Sequence, residues 1–252
     1  MMIILDSIRK IRGKDTEFFI KSKTFAENIW KNKKNPLTLP HRFTNKDTML
    51  DKKVIISLGR QFGSGGQQTG RRLAEILGID YYDRELIAEI ARNSGLDPDY
   101  VARHDEKAPG FFDYALAGRI GASHLFGSSQ SFVVLSDTLK QIAAQRSCLI
   151  VGRTADYILR DEPNLIKLFI HAPYKYRIRF LCKERGITAD EADDLLVRND
   201  RERARFYDFF TDKTWGQADS YDLCVDVTRL GGEEPTAQFL ADYVRRRMER
   251  FE

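Results

Sequence analysis

The sequence predicts an α/β fold in which a parallel sheet of about five strands is covered by helices on both faces. The first observation is a set of short apolar runs, bounded by turn or charged residues, which are typical of buried strands. The second is the helical periodicity of the segments between them, because strands that alternate with helices pair in parallel. The five runs are "VIISL" (54–58), "IDYY" (79–82), "CLIVG" (148–152), "LIKLFI" (165–170) and "YDLCVDV" (221–227).

Each segment between the strands has a pattern that justifies a helix. "GQQTGRRLAEILG" places Leu73, Ile76 and Leu77 on one face, and "DRELIAEIARNSG" begins with an acid and ends at Asn and Gly, as capped helices do. Another helix is expected at about 131–146, before the third strand. Three more are predicted in "LFIHAPYKYRIRFLCKERG", "TADEADDLLVRNDRERARFYDFF" and "EEPTAQFLADYVRRRMERF". The mixed Gly, Ser and aromatic composition of 104–131 leaves open a mobile insertion over a site or an ordinary surface excursion.

Charge divides the 252 residues into two parts. Residues 1–53 contain 13 Lys and Arg against 6 Asp and Glu, a net charge of +7, whereas the remainder sums to −3. We expect a basic, poorly ordered extension over 1–48 and one folded domain over 49–252. A basic leader could contact nucleic acid or an acidic partner, but a solvated extension is the favoured interpretation, so nucleic acid is not an expected partner.

The composition also predicts the compartment. No apolar run approaches the roughly 20 residues of a membrane helix, and the N-terminus lacks the pattern of a signal peptide. Cys148, Cys182 and Cys224 lack metal-ligand spacing and are expected to be small buried residues in a reducing environment. These features predict a cytoplasmic protein with no membrane partner. The sequence gives no indication of an oligomeric state.

A glycine-rich segment, "GRQFGSGG" (59–66), follows the first strand. Glycines allow backbone N–H groups to turn toward an anion, and a helix that starts at about Gly66 adds the positive end of its dipole. The standard phosphate-loop pattern, however, has a lysine after its last glycine, and here Gly66 and Gln67 follow Gly65. This segment alone is consistent with a phosphate site or with a tight turn.

Polar residues follow two further strands. Asp83 and Arg84 come after the second strand, and Gly152-Arg153-Thr154 comes at the end of the third. Ligands of parallel α/β sheets bind beyond the carboxyl ends of the strands, where these residues are expected to gather. Basic residues at three strand ends are more than a tight turn requires, so the group favours a phosphate ligand.

The segment "RNDRERAR" (198–205) is the strongest chemical signal. On a helix, Arg198, Arg201 and Arg205 follow i, i+3, i+7 spacing and share a face, with Glu202 beside them. Guanidinium groups hold two phosphate oxygens at once and keep their charge, so they suit charge that develops on a transferring phosphoryl group. A solvated helix with Arg–Glu pairs is the alternative that this segment alone leaves open.

Taken in order, these motifs resemble the nucleoside monophosphate kinases, most closely cytidylate kinase and the bacterial cytidylate-kinase-like family. The resemblance runs from about Val54 to about Leu240. The motifs are "GRQFGSGGQQTGRRLAEILGI", "YYDRELI", "LIVGR", "LFIHAPYKYRIRFL", "RNDRERAR" and "ADSYDLCVDVTRLGGEE".

The resemblance implies a three-layer P-loop kinase fold with a helical lid, ATP and Mg²⁺ as the phosphoryl donor, and CMP or dCMP as the acceptor. No side chain of this sequence is assigned as a metal ligand. Asp83, Arg153 and Glu202 would bind the acceptor, with Arg198 beside Arg153 on its phosphate. Arg84 stands where cytidylate kinase has a serine, so it is expected to replace a lost cation at the acceptor, or the site prefers another ligand. Arg198, Arg201 and Arg205 would be the catalytic residues of the lid, of which Arg201 and Arg205 reach the transferring phosphate. The donor phosphates would lie in the loop formed by Gly63, Ser64, Gly65, Gly66 and Gln67.

The sequence departs from the family pattern inside that loop. Gly66 stands at the lysine position and Gln67 at the position of the metal-binding hydroxyl, while Thr69 could serve only if the loop is shifted. We expect Arg60 to supply the missing positive charge, because it lies at the strand end just before the glycines. Arg71 and Arg72 are interpreted as surface or packing residues.

Two functions of different class remain open. The arginine face favours an active nucleotide kinase, and the absent lysine favours a nucleotide-binding sensor or scaffold without phosphoryl transfer. The sequence interpretation selects the kinase.

Overall fold

The computed structural model describes residues 52–84, 86–87 and 123–249. The predicted extension over 1–48, most of the helix predicted after the second strand, and residues 104–122 lie outside the described residues.

The described strands form one five-stranded parallel sheet with the order β2-β3-β1-β4-β5. The predicted strands are all present, and the predicted fold is confirmed. The first strand continues two residues beyond the apolar run, so that Arg60 pairs with Ile170 at the carboxyl edge of the sheet. The strands are β1 (Ile55–Arg60), β2 (Asp80–Tyr82), β3 (Cys148–Val151), β4 (Leu165–His171) and β5 (Leu223–Asp226).

Helices are present at the predicted places after β1, before β3, after β4 and on both sides of β5, and a short helix that was not predicted follows β3. A capping box begins α5, where the N–H of Glu191 donates to the Thr188 hydroxyl and the Glu191 carboxylate accepts from the N–H of Thr188. The helices are α1 (Gly66–Leu77), α2 (Ser123–Gln145), α3 (Ala155–Ile158), α4 (Tyr174–Arg185), α5 (Ala189–Phe210) and α6 (Glu233–Glu249), with a 3₁₀ turn at Ala218–Ser220.

The long helix α2 differs from its prediction. It begins at Ser123 rather than near residue 131, so the last part of the mixed Gly and Ser segment is helical. The buried side chains of Leu139 and Ile142 anchor the helix on the sheet. A glycine in a helix costs only about 1 kcal/mol, which tertiary packing of this kind overrides.

The core has two layers on opposite faces of the sheet. Alternate residues of β1 face opposite sides, with Leu58 packed among residues of α1 and α6 and Ile55 packed among residues of α2 and α3. Cys148 is completely buried on the second side, where burial raises the pKa of its thiol to about 12. Cys182 and Cys224 are only partly buried, so the expected burial holds for the first cysteine alone.

Among the described residues, none of the helices combines the length and the apolar character that crossing a membrane requires.

Candidate functional site

A glycine-rich loop connects the end of β1 to the first turn of α1. Gly63 and Gly65 have φ angles of 71° and 72°, left-handed values that glycine adopts without strain. A Cβ atom at Gly63 would lie 3.1 Å from the carbonyl oxygen of Arg177, so the loop also passes close to α4. Gly65 is the N-cap of α1, and the first turn contains no acidic residue. The N–H groups of this turn therefore suit an anion such as phosphate.

The hydroxyl groups of the loop form internal hydrogen bonds. Ser64 is fully buried, and its hydroxyl donates to the carbonyl oxygen of Gln61 at 2.9 Å. Thr69 is also fully buried, and its hydroxyl donates to the carbonyl oxygen of Gly65 at 3.0 Å. Both hydroxyl protons are thus engaged inside the loop, whose backbone N–H groups suit a phosphate.

The side chain of Arg60 crosses from the loop to the end of β3. A Cβ atom at Gly66 would lie 2.7 Å from the Cβ of Arg60, and a Cβ atom at Gly152 would collide with its Nη1. The Arg60 guanidinium thus lies over Gly152, which directly precedes Arg153. This side chain spans the distance between the first and third strand ends, as a residue between two phosphate groups would.

The backbone at the end of β3 is strained. Gly152, Arg153 and Thr154 have consecutive φ angles of 72°, 62° and 50°. Left-handed conformations cost non-glycine residues about 1–3 kcal/mol each, and they are true outliers for a β-branched residue such as threonine. Such strain persists where the surrounding fold maintains it, and it concentrates at functional sites. The strained turn fixes where the Arg153 side chain leaves the sheet.

One face of α5 contacts the glycine loop. Asp200 accepts a hydrogen bond from the N–H of Phe62 at 2.8 Å and pairs with the guanidinium of Arg177, which also donates to the Phe62 carbonyl. Arg203 donates to the carbonyl oxygen of Arg60 at 2.9 Å, and its guanidinium lies 5.3 Å from the Phe62 ring. The described part of the lid is therefore hydrogen-bonded to the loop.

Positive charge is concentrated around this contact. Burial lowers the pKa of the Arg203 guanidinium, and the nearby charges of Arg60, Arg153 and Arg177 act in the same direction, while Asp200 opposes them. Arg203 nevertheless keeps its proton, because the ordinary pKa of an arginine side chain is far above neutral pH. Guanidinium groups from β1, the β3 end, α4 and α5 thus share one region next to a loop that suits an anion.

The predicted arginine face of α5 points elsewhere. Arg198, Arg201 and Arg205 are exposed, and the helical repeat places them opposite Arg203. Glu202 is partly buried beside them. The structure therefore gathers Arg60, the loop and Arg153 but does not bring these three arginines to the loop, and their catalytic role stays a prediction.

The residues after β2 have structural contacts of their own. Asp83 accepts a hydrogen bond from the N–H of Leu86 at 3.2 Å, which caps the following helical turn. Its carboxylate also lies 3.7 Å from a nitrogen of Arg71, whose guanidinium is 5.3 Å from the Tyr81 ring. Burial raises the pKa of Tyr81 to about 12. Arg84 follows at the start of the turn, partly buried.

A cavity of about 440 Å³ lies on the other side of the glycine loop. Tyr176 and Phe180 of α4 line it, with ring centroids 6.3 Å apart. The wall also contains Gln68 of α1, Glu233 of α6 and three charged residues of α4, Arg179, Lys183 and Glu184. The Tyr176 hydroxyl donates to Glu233 at 3.1 Å, and a Cβ atom at Gly65 would lie 2.5 Å from that carboxylate. The Glu233 side chain thus lies between the cavity and Gly65 of the loop, and this cavity was not predicted from the sequence.

A comparison with protein families assigns this chain to a family. The sequence pattern of the cytidylate kinase-like family matches residues 55–229, which include the loop, the strained turn and α5. This chain belongs to the cytidylate kinase-like family. The resemblance found in the sequence is confirmed, and the matched residues lie within the predicted domain.

Two curated relatives are named cytidylate kinase, and one solved structure has a similar fold. The chain is 23% identical to a cytidylate kinase of Methanopyrus kandleri over 74% of this chain and 91% of the relative. It is 25% identical to a cytidylate kinase of Methanosarcina barkeri over 65% of this chain and 82% of that relative. An uncharacterized protein from Eubacterium ventriosum has a similar structure, with a TM-score of 0.59 and 25% identity over 77% of this chain and 98% of that chain.

Asp200 and Arg203 were missed in the sequence because the neighbouring arginines had the expected helical spacing. A signal was nevertheless present. Ala192 and Leu196 form an apolar stripe, and Leu196, Asp200, Arg203 and Tyr207 continue it at i, i+4, i+7 and i+11. The inward face of a helix continues beyond its apolar residues, and polar groups on that extension are candidates for a site.

Proposed function

We propose that this cytidylate kinase-like chain transfers the terminal phosphoryl group of ATP to a nucleoside monophosphate, with CMP or dCMP as acceptor. The observation that supports it is the convergence of Arg60, Arg153 and Arg203 beside the glycine loop. A loop of turned N–H groups suits the donor phosphates, and several guanidinium groups suit a second phosphate and the group in transit. Its partners are small-molecule nucleotides.

The reaction needs no covalent intermediate with the protein. An oxygen of the acceptor phosphate attacks the terminal phosphorus of ATP, and a P–O bond to the acceptor forms as the bond to the bridging oxygen breaks. ADP leaves with that electron pair, and a nucleoside diphosphate remains. Catalysis then consists of alignment and charge neutralisation, which rigid arginines provide.

On the donor side, the backbone of the loop from Gly63 to Gln67 holds the phosphates. The base of ATP occupies the adjacent cavity, where the rings of Tyr176 and Phe180 offer apolar faces and Glu233 offers a hydrogen-bond acceptor. A drug-sized ligand fills a pocket of roughly 300–1,000 Å³, so the cavity of about 440 Å³ is large enough.

On the acceptor side, Arg153 holds the phosphate from the strained turn after β3. Asp83 and Arg84 contribute from the end of β2, and Glu202 contacts the base or ribose. Arg198, Arg201 and Arg205 belong to this proposal only if α5 turns when the acceptor binds, because they face away from the loop in the structure.

The metal in this proposal enters with ATP. Among the described residues no group of three or more His, Cys, Asp or Glu could hold a metal ion, and the hydroxyls of Ser64 and Thr69 are bonded to carbonyl oxygens. Mg²⁺ commonly keeps several waters and binds through substrate phosphates, which fits this donor set. The ion would neutralise phosphate charge, while the chain supplies N–H groups and guanidiniums.

A second candidate function is a nucleotide-binding sensor or scaffold that transfers no phosphoryl group. The absence of a side chain at Gly66 and of a hydroxyl at Gln67 favours it. Both candidates require the loop to hold ATP, so they differ only in whether the bound ATP then loses its terminal phosphoryl group.

A coupled assay with ATP, Mg²⁺ and a panel of nucleoside monophosphates separates them. The kinase proposal expects turnover with CMP or dCMP above all other acceptors, and a loss of at least tenfold in kcat/KM for Arg153→Ala. Arg198→Ala tests whether α5 turns. Binding of ATP without turnover on any acceptor would support the sensor instead.

A further inference from the structure

The missing lysine of the phosphate loop is linked to the path of one arginine side chain. Arg60 leaves the end of β1, passes over Gly66 at the start of α1, and reaches Gly152 at the end of β3. Both flanking positions are glycine, and they come from different elements that are distant in the sequence. Because neither glycine has a side chain, there is room at both positions for the long side chain of Arg60.

A side chain at position 66 is sterically incompatible with this arrangement. Its Cβ would lie 2.7 Å from the Cβ and 3.1 Å from the Cγ of Arg60, closer than side-chain atoms normally approach. Lysine cannot therefore occupy its usual place while Arg60 keeps this path. At Gly152 a Cβ would overlap the guanidinium itself, and the φ angle of 72° also selects glycine there.

We propose that the Arg60 guanidinium contacts the terminal phosphate of the donor and supplies the charge that a P-loop lysine supplies elsewhere. This inference rests on the proposed function. Its evidence is position: the stem of the side chain lies against Gly66 of the loop, and the guanidinium lies at Gly152, the residue before Arg153. A planar fork in that place can hold oxygens on both sides during transfer.

The backbone of Arg60 is fixed in a way that suits this role. The residue is paired in the sheet with Ile170 of β4, and its carbonyl oxygen accepts a hydrogen bond from Arg203 at 2.9 Å. The contact from α5 thus anchors the residue whose side chain crosses the site. A charge held in place before the reaction stabilises a transition state better than a mobile one.

The first test compares Arg60→Ala with Arg72→Ala. Arg72 is an exposed arginine of α1 that pairs with Glu234 at 2.8 Å on the outer surface. With the best acceptor, we expect Arg60→Ala to lower kcat by about 100-fold or more, as loss of one charged donor does in other enzymes. Arg72→Ala should keep kcat within twofold of the wild type. Equal kcat for Arg60→Ala and wild type would overturn the proposal.

The second test restores the lysine at its usual place. Gly66→Lys alone should lower turnover, because the new side chain displaces Arg60. In the double variant Arg60→Gly/Gly66→Lys, the Cβ of residue 60 is also removed, so the lysine has room. We expect this variant to recover at least tenfold over Arg60→Gly, with thermal unfolding as the check that each variant folds. A folded double variant that is no more active than Arg60→Gly would overturn the proposal that Arg60 supplies the charge of a P-loop lysine.

A third readout does not depend on kinase activity. Inorganic tripolyphosphate serves as the probe in calorimetric titration of the full chain, and Arg60→Ala should weaken its binding at least tenfold while Arg72→Ala leaves it unchanged. If the wild type transfers no phosphate to any acceptor, the proposed function fails and this titration still decides the role of Arg60. Equal affinity for tripolyphosphate in Arg60→Ala and wild type would count against the inference in either case.

Discussion

The Asp200 carboxylate of α5 accepts a hydrogen bond from the backbone N–H of Phe62, 138 residues earlier in the chain, at 2.8 Å. The same carboxylate pairs with Arg177, which is 6% exposed and donates to the Phe62 carbonyl. One acidic residue thus connects the lid helix, the adjacent helix α4 and the phosphate loop. Any change in the angle of α5 changes the hydrogen bonds of the loop.

Removal of this carboxylate should loosen the loop. We expect Asp200→Ala to weaken ATP binding at least tenfold, because the Phe62 N–H and the buried Arg177 lose their partner at once. Asp194→Ala, an exposed residue on the same helix, is the matched control and should bind ATP as the wild type does. Fluorescence titration with a labelled ATP measures both, and unchanged affinity in Asp200→Ala would show that the loop holds its shape without α5.

The inward and outward arginines of α5 make opposite predictions. Arg203 contacts the loop, so Arg203→Ala should lower kcat/KM about 100-fold, whereas exposed Arg205 should tolerate the same change within about threefold. Steady-state kinetics with the preferred acceptor measure both variants. A comparable loss in Arg205→Ala would show that α5 turns during the reaction and presents the face predicted from the sequence.

The contrast between these two arginines shows how far the sequence goes. The existence and start of α5 were predictable because the Thr188–Glu191 capping box and the helical spacing are local signals. The inward face was not deduced, because Arg198, Arg201 and Arg205 have the expected helical spacing and only the packing of Leu196 against α4 turns Arg203 toward the loop. The path of the Arg60 side chain could not be predicted from local sequence patterns either, since it depends on β3 lying next to β1 in the sheet. Only the pairing of those strands shows that Gly66 and Gly152 both lie against the Arg60 side chain.

A buried acid of α3, which pairs with the far end of α5, predicts a pH-dependent stability. Asp156 is 6% exposed, burial raises the pKa of its carboxyl, and the Tyr207 hydroxyl donates to it at 2.6 Å. Because the folded pKa is above the ordinary value of 3.8, ionisation penalises the folded state, and the penalty grows as pH rises through the folded pKa. Tyr207→Phe removes the compensating hydrogen bond and should raise that pKa further.

The free energy of unfolding of Tyr207→Phe should therefore fall by about 1–3 kcal/mol at pH 7, relative to wild type. The difference should shrink as the pH is lowered from 7 toward 4, because protonation of the Asp156 carboxyl removes the buried charge that the Tyr207 hydroxyl stabilises. Urea unfolding at the two pH values measures it, with the same change at Tyr157, a partly exposed tyrosine of α3, as the control. A pH-independent difference would mean that the lost hydroxyl acts through packing rather than through the Asp156 charge.

The predicted division of the chain at residue 48 is open to a direct test. We expect a chain that lacks residues 1–48 to keep kcat/KM within about twofold, because the loop and the arginines of the candidate site lie in the described residues beyond it. Its affinity for single-stranded RNA, measured by filter binding at low salt, should be as weak as that of the full chain. A large fall in either quantity would assign the basic leader a part in substrate or nucleic-acid binding.

The strained turn after β3 predicts that Arg153 supports activity but lowers the stability of the fold. Its φ of 62° costs a non-glycine residue about 1–3 kcal/mol, whereas glycine adopts this conformation freely. Arg153→Gly and Arg153→Ala both remove the guanidinium and should lose activity equally. The glycine variant should nevertheless unfold with a free energy about 1 kcal/mol higher than the alanine variant, because only alanine retains the strain. Denaturant unfolding measures the free energy of unfolding of both variants. Equal values would mean that the turn is not strained, and strain would then no longer support a functional role for this turn.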